Sequence, residues 1–180
     1  LITQFRTALS SIEPTDADKQ NAPIAHEEVR SALLADDTLN DWGLDPILIG
    51  SYKRHVSIRR MKDVDLFGRL PDLPDDVTPA ALLAEFKRVL TAAFGSARVK
   101  AQARSFQVKF DELDGLYVDA VPARPWTSNY GEGAWQLPKR NEDGWQATNP
   151  ERLAELSTEL NDEFNKGYVP VIKLLRQTRR

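Results

Sequence analysis

Cysteine is absent from this sequence of 180 residues, which excludes disulfide bridges and thiolate metal sites. This absence fits a reducing compartment, so a cytoplasmic location is the expectation. The sequence also lacks any apolar run close to the roughly 20 residues that a membrane-spanning helix needs. We therefore expect a protein without a membrane partner.

Excess positive charge is missing as well, because 24 Lys and Arg residues face 27 Asp and Glu residues, for a net charge of −3. Phosphate contacts dominate the binding of long nucleic acids, so such proteins usually carry a basic surface. The composition therefore disfavours a long nucleic acid as partner without excluding it. A small anionic nucleotide needs only local positive charge. Basic residues cluster in two segments: Lys53, Arg54, Arg59, Arg60 and Lys62, then Lys173, Arg176, Arg179 and Arg180.

A pair of aspartates stands two positions apart inside an apolar, strand-like segment that runs from Asp63 to Phe67. Because side chains alternate along a strand, Asp63 and Asp65 are predicted to share one face, with Val64 and Leu66 in the core. Two neighbouring carboxylates repel each other unless a cation lies between them. The pattern favours Mg²⁺, which takes few protein ligands and leaves coordination positions for water and substrate phosphates.

A third acid, Asp119, is embedded in a second apolar segment, Tyr117–Pro122. A buried charge at such a position is costly unless it is paired or binds a metal. Two-metal nucleotidyl transfer needs carboxylates that hold two cations about 3.5–4 Å apart. We expect Asp63 and Asp65 to bridge two Mg²⁺ ions and Asp119 to complete the ion beside the attacking hydroxyl, with Mn²⁺ as an alternative metal.

The dipeptide Gly50-Ser51 ends the apolar run Ile47–Ile49 and precedes the aspartates. Backbone N–H groups and a hydroxyl at such a turn can hold phosphate oxygens. A turn glycine followed by a helix-capping serine is the simpler interpretation of the same two residues. Together with the three carboxylates, the turn predicts a site for metal-assisted phosphoryl or nucleotidyl transfer.

Three segments carry a resemblance to a known family: Gly50–Arg54, Asp63–Leu66 and Val118–Pro122. They resemble the polymerase-β-like nucleotidyltransferases, and most of all the bacterial cGAS/DncV-like nucleotidyltransferases, which are relatives of oligoadenylate synthase. Members of this branch make cyclic di- or oligonucleotide signals in anti-phage defence. The segment from Thr148 to Leu175 is similar to the passage into that family's helical domain.

The resemblance implies an α+β polymerase-β-like nucleotidyltransferase fold, with a mixed sheet flanked by helices that enters a helical second domain. Residues 1–148 would form the catalytic domain with its N-terminal helices, and residues 149–180 the start of a truncated helical domain. The resemblance also implies roles for six residues, as metal ligands or nucleotide contacts. The implied metal ligands are Asp63, Asp65 and Asp119, and the implied nucleotide contacts are Gly50, Ser51 and Lys173. Arg54, in the basic segment after the turn, is a further candidate for contacting phosphate, with a solvated surface position as the alternative.

The leading hypothesis is a Mg²⁺-dependent enzyme that joins nucleoside triphosphates, ATP among them, into a cyclic di- or oligonucleotide. One alternative keeps the chemistry but transfers the nucleotide to RNA, a small molecule or a protein. Another is a non-catalytic module that senses nucleotides. A regulatory protein partner or an activating ligand stays open for each.

Periodicity and capping residues predict the order of elements. Pro23 is predicted to kink or divide the second helix. Residues 122–148 are predicted to form an irregular loop, whose aromatic side chains either stack on a base or form a secondary core: Trp126, Tyr130, Trp135 and Trp145. Both histidines, His26 and His55, are interpreted as structural or surface residues. Helices are predicted over 2–12, 17–35, 79–94, 150–165 and 168–180, and strands over 47–49, 63–70, 97–101, 105–110 and 116–121.

Overall fold

The computed structural model describes residues 2–126, 134–140 and 144–179. Along these residues, helices and strands form an α+β arrangement, with runs of consecutive helices at both ends and a run of consecutive strands after α5. The helices are α1 Ile2–Ile12, α2 Asp16–Leu34, α3 Asp37–Asp41, α4 Gly50–Lys53, α5 Pro79–Phe94, α6 Pro150–Glu163 and α7 Tyr168–Gln177. The strands are β1 Asp45–Ile49, β2 Asp63–Arg69, β3 Val99–Ala101, β4 Phe106–Phe110, β5 Leu116–Pro125, β6 Trp135–Pro138 and β7 Trp145–Thr148.

Five strands form a mixed sheet in the order β1-β2-β5-β4-β3. The central pair, β2 and β5, is parallel, and the other neighbouring strands are antiparallel. Beyond the main sheet, the end of β5 pairs with β6, which in turn pairs with β7. The mixed sheet with flanking helices confirms the fold class expected from the sequence.

Side-chain alternation along the central strands separates a buried face from a polar face. Val64 and Leu66 on β2, and Val118 and Ala120 on β5, are fully buried. They pack with apolar residues of α2 and α5 in one hydrophobic core. The opposite face of the same strands carries the aspartates, as the sequence pattern predicts.

Local capping fixes where the long helices begin. Thr15 and Asp18 form a reciprocal capping box at the start of α2, and Asn149 accepts a hydrogen bond from Arg152 N–H at the start of α6. The division that Pro23 predicts is wrong, since α2 runs unbroken from Asp16 to Leu34. Packing of α2 against the sheet stabilises the helix although Pro23 has no backbone N–H to donate.

Two parts of the sequence prediction need correction. The short helix α3 was not expected; Asp36 caps it by accepting a hydrogen bond from Leu39 N–H. The irregular loop over 122–148 is wrong in part, because β5 continues to Pro125 and a hairpin of β6 and β7 follows. Strand β5 can include Pro122, because the pairing of β5 with β4 ends at Ala120 and no hydrogen bond from the proline nitrogen is needed on that side.

The two C-terminal helices pack back onto the N-terminal part of the chain. Helix α7 contacts α1, and α6 contacts α4 and β1. Across this contact Lys173 Nζ donates a hydrogen bond of 2.6 Å to Glu13 Oε2. In the part of the chain that the structure describes, no helix is both long and apolar enough to cross a membrane.

Replacing Phe86 by alanine is expected to lower the free energy of unfolding by about 3–5 kcal/mol, because the ring is fully buried and leaves a cavity. Phe164→Ala is the matched control, since that ring is 59% exposed and its loss should change stability by less than about 0.5 kcal/mol. Urea unfolding of both variants measures the difference. Equal losses would contradict the described core.

Candidate active site

The parallel register of β2 and β5 brings the three aspartates onto one face of the sheet. Asp65 lies directly beside Asp119, and Asp63 lies beside Tyr117. Residues that are paired across adjacent strands point to the same face of a sheet, and so do residues two positions apart on one strand. All three carboxylates therefore lie on the same face. The arrangement predicted from the sequence is therefore present.

Burial and like charge act together on Asp65. Its pKa is raised to about 6, first by burial and then by the charges of Asp63 and Asp119. The positive charges of Arg176 and Arg54 lower the pKa of this carboxyl and only partly offset the rise. At neutral pH the site therefore holds a carboxylate that gains from a cation.

Asp119 also has a raised pKa, and one of its carboxylate oxygens lacks a hydrogen-bond partner among the described residues. Burial, followed by the charge of Asp63, raises its pKa to about 6, while a hydrogen bond from the side chain of Gln107 lowers it. Its Oδ1 atom is buried and has no hydrogen-bond partner among the described residues. An unsatisfied buried carboxylate oxygen gains from a cation or a hydrogen-bond donor beyond the described residues.

The Gly50-Ser51 turn lies against this carboxylate cluster because β1 pairs Ile49 with Asp65. Gly50 has φ +70°, and a Cβ at this position would overlap the carboxylate of Asp65. Only glycine meets both conditions, the left-handed backbone and the close approach. Ser51 is buried at the first turn of α4, where its Oγ accepts a hydrogen bond of 3.4 Å from Ser57 Oγ.

The cationic candidates are engaged with the protein itself. Arg54 Nε donates a hydrogen bond of 3.1 Å to the Gly50 carbonyl, so this arginine braces the turn. The ammonium group of Lys173 pairs with Glu13 and lines a cavity of about 480 Å³. Neither an aspartate of the cluster nor Gly50 lines that cavity among the described residues, so Lys173 is not brought to the carboxylates here.

The fit of a divalent cation can be judged from the donors. Within the described residues, no group of three His, Cys, Asp or Glu side chains stands ready to hold a metal ion. The donor set is nevertheless all carboxylate oxygen, which Mg²⁺ prefers. The unpartnered Oδ1 of Asp119 and the mutual repulsion of the three acids both favour a bound cation. The residues present therefore fit Mg²⁺ or Mn²⁺.

Sequence reasoning missed two residues that act on the cluster, and it named Arg176 only as part of a basic segment. Gln107 lies opposite Asp119 in the antiparallel β4–β5 pair, and Tyr117 lies beside Asp63. The pKa of Tyr117 is raised, first by burial and then by the charges of Asp63 and Asp119. Counting two positions back from Asp119 could have found Tyr117, whereas Gln107 and Arg176 required strand register and tertiary packing.

The aromatic candidates for base stacking are largely occupied by protein contacts. Trp135 packs edge-on against Phe67 at 6.1 Å between ring centroids and donates a hydrogen bond to Glu151. The guanidinium of Arg124 lies 3.9 Å from the centroid of the Trp145 ring. These contacts favour the secondary-core interpretation for both rings. Trp126 lies at the end of the described segment, and Tyr130 lies outside the described residues.

The histidines have no role in the carboxylate cluster. His26 is buried against the Tyr52 ring, and its pKa is lowered, mainly by burial. His55 follows α4 with a positive φ of 58° and lines the cavity that contains Lys173. The structural interpretation of His26 agrees with this burial.

A family model described as "SMODS: Second Messenger Oligonucleotide or Dinucleotide Synthetase domain" matches residues 1–161. The match therefore includes the turn and all three aspartates. A curated relative, cyclic AMP-AMP-AMP synthase of Acinetobacter sp. (strain ATCC 27244 / 9458), is 28% identical over 185 residues. That alignment covers 98% of this chain and 51% of the relative.

Two solved structures share the fold. The CdnE c-UMP-AMP synthase of Rhodothermus marinus superposes with a TM-score of 0.73 at 21% identity, over 96% of this chain and 64% of the other. The CdnE cyclic dinucleotide synthase of Elizabethkingia meningoseptica superposes with a TM-score of 0.75 at 19% identity, over 98% of this chain and 65% of the other. The chain thus spans about half the length of the curated relative and less than two thirds of these structures.

Gly50→Ala is expected to destabilise the protein more than Gly115→Ala. Both glycines have nearly the same positive φ, +70° and +68°, so both variants incur about 1–2 kcal/mol of backbone strain. A methyl group at Gly115 meets no atom within 4 Å, whereas at Gly50 it collides with Asp65. Urea unfolding checks the expected difference. Equal destabilisation would mean that the turn does not press on the carboxylate.

The contribution of Asp65 and Asp119 to the stability of the metal-free protein is expected to fall as the pH rises from about 4 to 6. The pKa of both Asp65 and Asp119 is about 6 in the folded state, above the roughly 3.9 of an unfolded aspartate. The folded state therefore binds more protons in this window, and its stability falls as they are released. Unfolding midpoints measured in chelator across this range test the sign.

Asp65→Asn removes one of the repelling charges and is expected to stabilise the metal-free protein by on the order of 1 kcal/mol at pH 7. Mg²⁺ should raise the unfolding temperature of the wild type but much less that of the variant. Asp76→Asn, at an exposed position, is the control and should behave like the wild type. A destabilised Asp65→Asn variant would refute the repulsion.

Proposed function

Because this chain belongs to the family of Second Messenger Oligonucleotide or Dinucleotide Synthetase domains, we propose that it is the catalytic part of a nucleotidyltransferase. In this proposal the enzyme joins nucleoside triphosphates into a cyclic di- or oligonucleotide second messenger. The observation that carries the proposal is the set of three carboxylates on one sheet face beside the Gly50-Ser51 turn. The proposed role in anti-phage signalling is supported by the family resemblance alone.

The proposed reaction is a repeated phosphoryl substitution. A 2′- or 3′-hydroxyl of one nucleotide attacks the α-phosphorus of another, a new P–O bond forms, and the bond to pyrophosphate breaks. The hydroxyl proton passes to solvent, and a further transfer within the linear product closes the ring. Two divalent cations, when bound, would supply positive charge for the attacking oxygen and for the leaving pyrophosphate.

The residues of this chain would provide binding and orientation. Asp63, Asp65 and Asp119 are the proposed metal ligands, because their shared face concentrates negative charge and Oδ1 of Asp119 lacks a partner. Gly50 and Ser51 are the proposed contacts to the donor triphosphate. Gly50 lets the turn come close to the carboxylates, since a Cβ at this position would overlap Asp65.

Two basic side chains, Arg54 and Lys173, are also proposed to contact the nucleotide, and their hydrogen bonds favour different roles. Arg54 would act mainly through the turn, because it donates to the Gly50 carbonyl. Lys173 would contact phosphate only by sharing its three N–H donors between the ligand and Glu13, or by leaving Glu13. Its role in binding triphosphate stays a proposal that depends on the family resemblance.

The proposal also covers the substrate, a regulatory partner, the cellular location and the second domain. The Acinetobacter relative is named for a product built from AMP units, so we propose ATP among the substrates here. A regulatory protein or an activating ligand fits the same scheme, as does a cytoplasmic location. Residues 149–180, which include α6 and α7, are proposed as the start of a helical domain that follows the catalytic domain.

The product assay tests the proposed activity directly. The full-length protein is incubated with all four NTPs and Mg²⁺, and the phosphatase-treated products are examined by mass spectrometry. We expect a phosphatase-resistant cyclic product whose mass names its bases and ring size. Asp63→Asn should lower its yield by more than about 100-fold, since metal stabilisation of the developing charge is worth several kcal/mol. Asp76→Asn should leave it unchanged.

Other outcomes would redirect or reject the assignment. Transfer of a nucleotide to RNA, a small molecule or a protein, with no cyclic product, would favour the alternative acceptors. Calorimetry that detects no Mg²⁺-linked NTP binding would favour a non-catalytic module. Full product yield from Asp63→Asn would reject the assigned site.

A further inference from the structure

The segment that leads into Asp63 lies between α4 and β2, at residues 54–62, and it contains no helix or strand. Strand β1 pairs with β2 only as far as Asp65, which lies opposite Ile49. Within the described ranges, β5 is the strand that flanks Asp63, and it does so on one side. The position of the Asp63 carboxylate therefore depends on what holds the segment before it.

Two successive backbone N–H groups of this segment are bonded to one carboxylate on the first turn of α2. Asp18 Oδ2 accepts a hydrogen bond of 3.3 Å from Arg60 N–H, and its Oδ1 accepts one of 3.1 Å from Met61 N–H. The second of these bonds lies two positions before Asp63. A side chain of α2 thus holds the backbone immediately upstream of the carboxylate cluster.

Helix capping accounts for only part of what Asp18 does. Its Oδ2 also accepts hydrogen bonds from the backbone N–H of Thr15 at 2.8 Å and from the Thr15 hydroxyl at 2.9 Å. A capping box needs only the bond to the backbone N–H of the capping residue. The bonds from Arg60 and Met61 therefore lie outside the capping motif, and the negative charge of the acceptor strengthens them.

The backbone of Arg60 explains why the segment needs these bonds. Its φ is +58°, in the left-handed region that residues other than glycine rarely adopt. The hydrogen bond from Arg60 N–H to Asp18 forms at this strained residue and offsets part of the strain. Without it, relaxation of Arg60 to a negative φ would turn the chain just before β2 and redirect Asp63.

We propose that Asp18 is a positioning residue, which fixes the orientation of Asp63 by holding the backbone that leads into it. The Asp63 carboxylate then faces the other two acids in the geometry that a shared divalent cation needs. In this proposal Asp18 touches neither the cation nor the nucleotide. The inference rests on the proposed function, which makes Asp63 a metal ligand.

The competing explanation is that Asp18 only caps α2 and that other contacts hold the segment. Arg59 N–H donates a hydrogen bond of 2.6 Å to the carbonyl of Ile12, and the side chain of Met61 is buried. These contacts would keep Asp63 in place without Asp18. Metal affinity separates the two explanations, because it depends on the orientation of Asp63 and not on the helix cap.

Binding of Mn²⁺ to the full-length protein, measured by electron paramagnetic resonance of the free ion, tests the proposal without catalysis. We expect Asp18→Ala to weaken Mn²⁺ binding by about tenfold, as for other residues that orient metal ligands. Thr15→Ala is the control for the cap. It removes the hydroxyl that accepts from Asp18 N–H but leaves the carboxylate to Arg60 and Met61. This control should lower the unfolding temperature and change Mn²⁺ affinity by less than about twofold.

Three further variants exclude other routes to the same result. Asp16→Ala removes an equal charge from a side chain that is 91% exposed, and it should change Mn²⁺ affinity by less than about twofold. Arg60→Gly permits a positive φ without strain, so in this background the loss caused by Asp18→Ala should shrink to about threefold or less. Asp18→Asn keeps one oxygen acceptor; it replaces Asp18→Ala if that variant does not fold, and it should lose several-fold in affinity.

The outcomes are decisive in either direction. Weaker Mn²⁺ binding in the Asp18 variants, with both controls unaffected and a smaller loss in the Arg60→Gly background, supports the inference. Wild-type affinity in the Asp18 variants, an equal loss in Thr15→Ala or Asp16→Ala, or an undiminished loss in the Arg60→Gly background would overturn it. A wild-type protein that binds no Mn²⁺ would overturn it together with the metal role of Asp63. Absence of product from NTPs, with the expected Mn²⁺ results, would reject the proposed function alone.

Discussion

The parallel pairing of β2 with β5 is the constraint on which the site depends. It sets Asp65 beside Asp119 in the middle of a sheet whose other face is the hydrophobic core. The apolar residues of the two strands fix this register, because a shift by one position would turn Val64 and Val118 toward the polar face. Core packing therefore forces like charges together, and the repulsion is a cost that the folded chain sustains without metal.

The residues around the aspartates partly offset the repulsion between the three carboxylates. Glycine at position 50 lets the backbone of the turn approach Asp65, and Arg54 holds the same turn through the Gly50 carbonyl. Positive charge reaches the cluster from two directions, from Arg54 after β1 and from Arg176 on α7. This combination of acids and nearby positive charge supports the proposed metal–nucleotide complex, which would bring both cations and anionic oxygens.

The sequence was sufficient wherever the information is local. Alternation placed Asp63 and Asp65 on one face, and capping residues set the start of α2, α5 and α6. The hairpin of β6 and β7 was missed, because the prolines and glycines around it favour turns, while its cross-strand pairing depends on partners outside each segment. The pairing of Lys173 with Glu13 was also beyond reach, since it joins residues 160 positions apart.

That long separation has a consequence for the order in which the protein is built. At about 5–20 residues per second, a ribosome that has added Glu13 needs on the order of 10 s to reach Lys173. The chain reaches the end of β5 before it reaches α7, so all three aspartates are synthesised before Arg176. Packing of α7 onto α1 can therefore follow the pairing of the central strands, and it adds the positive charge of Arg176 to the site.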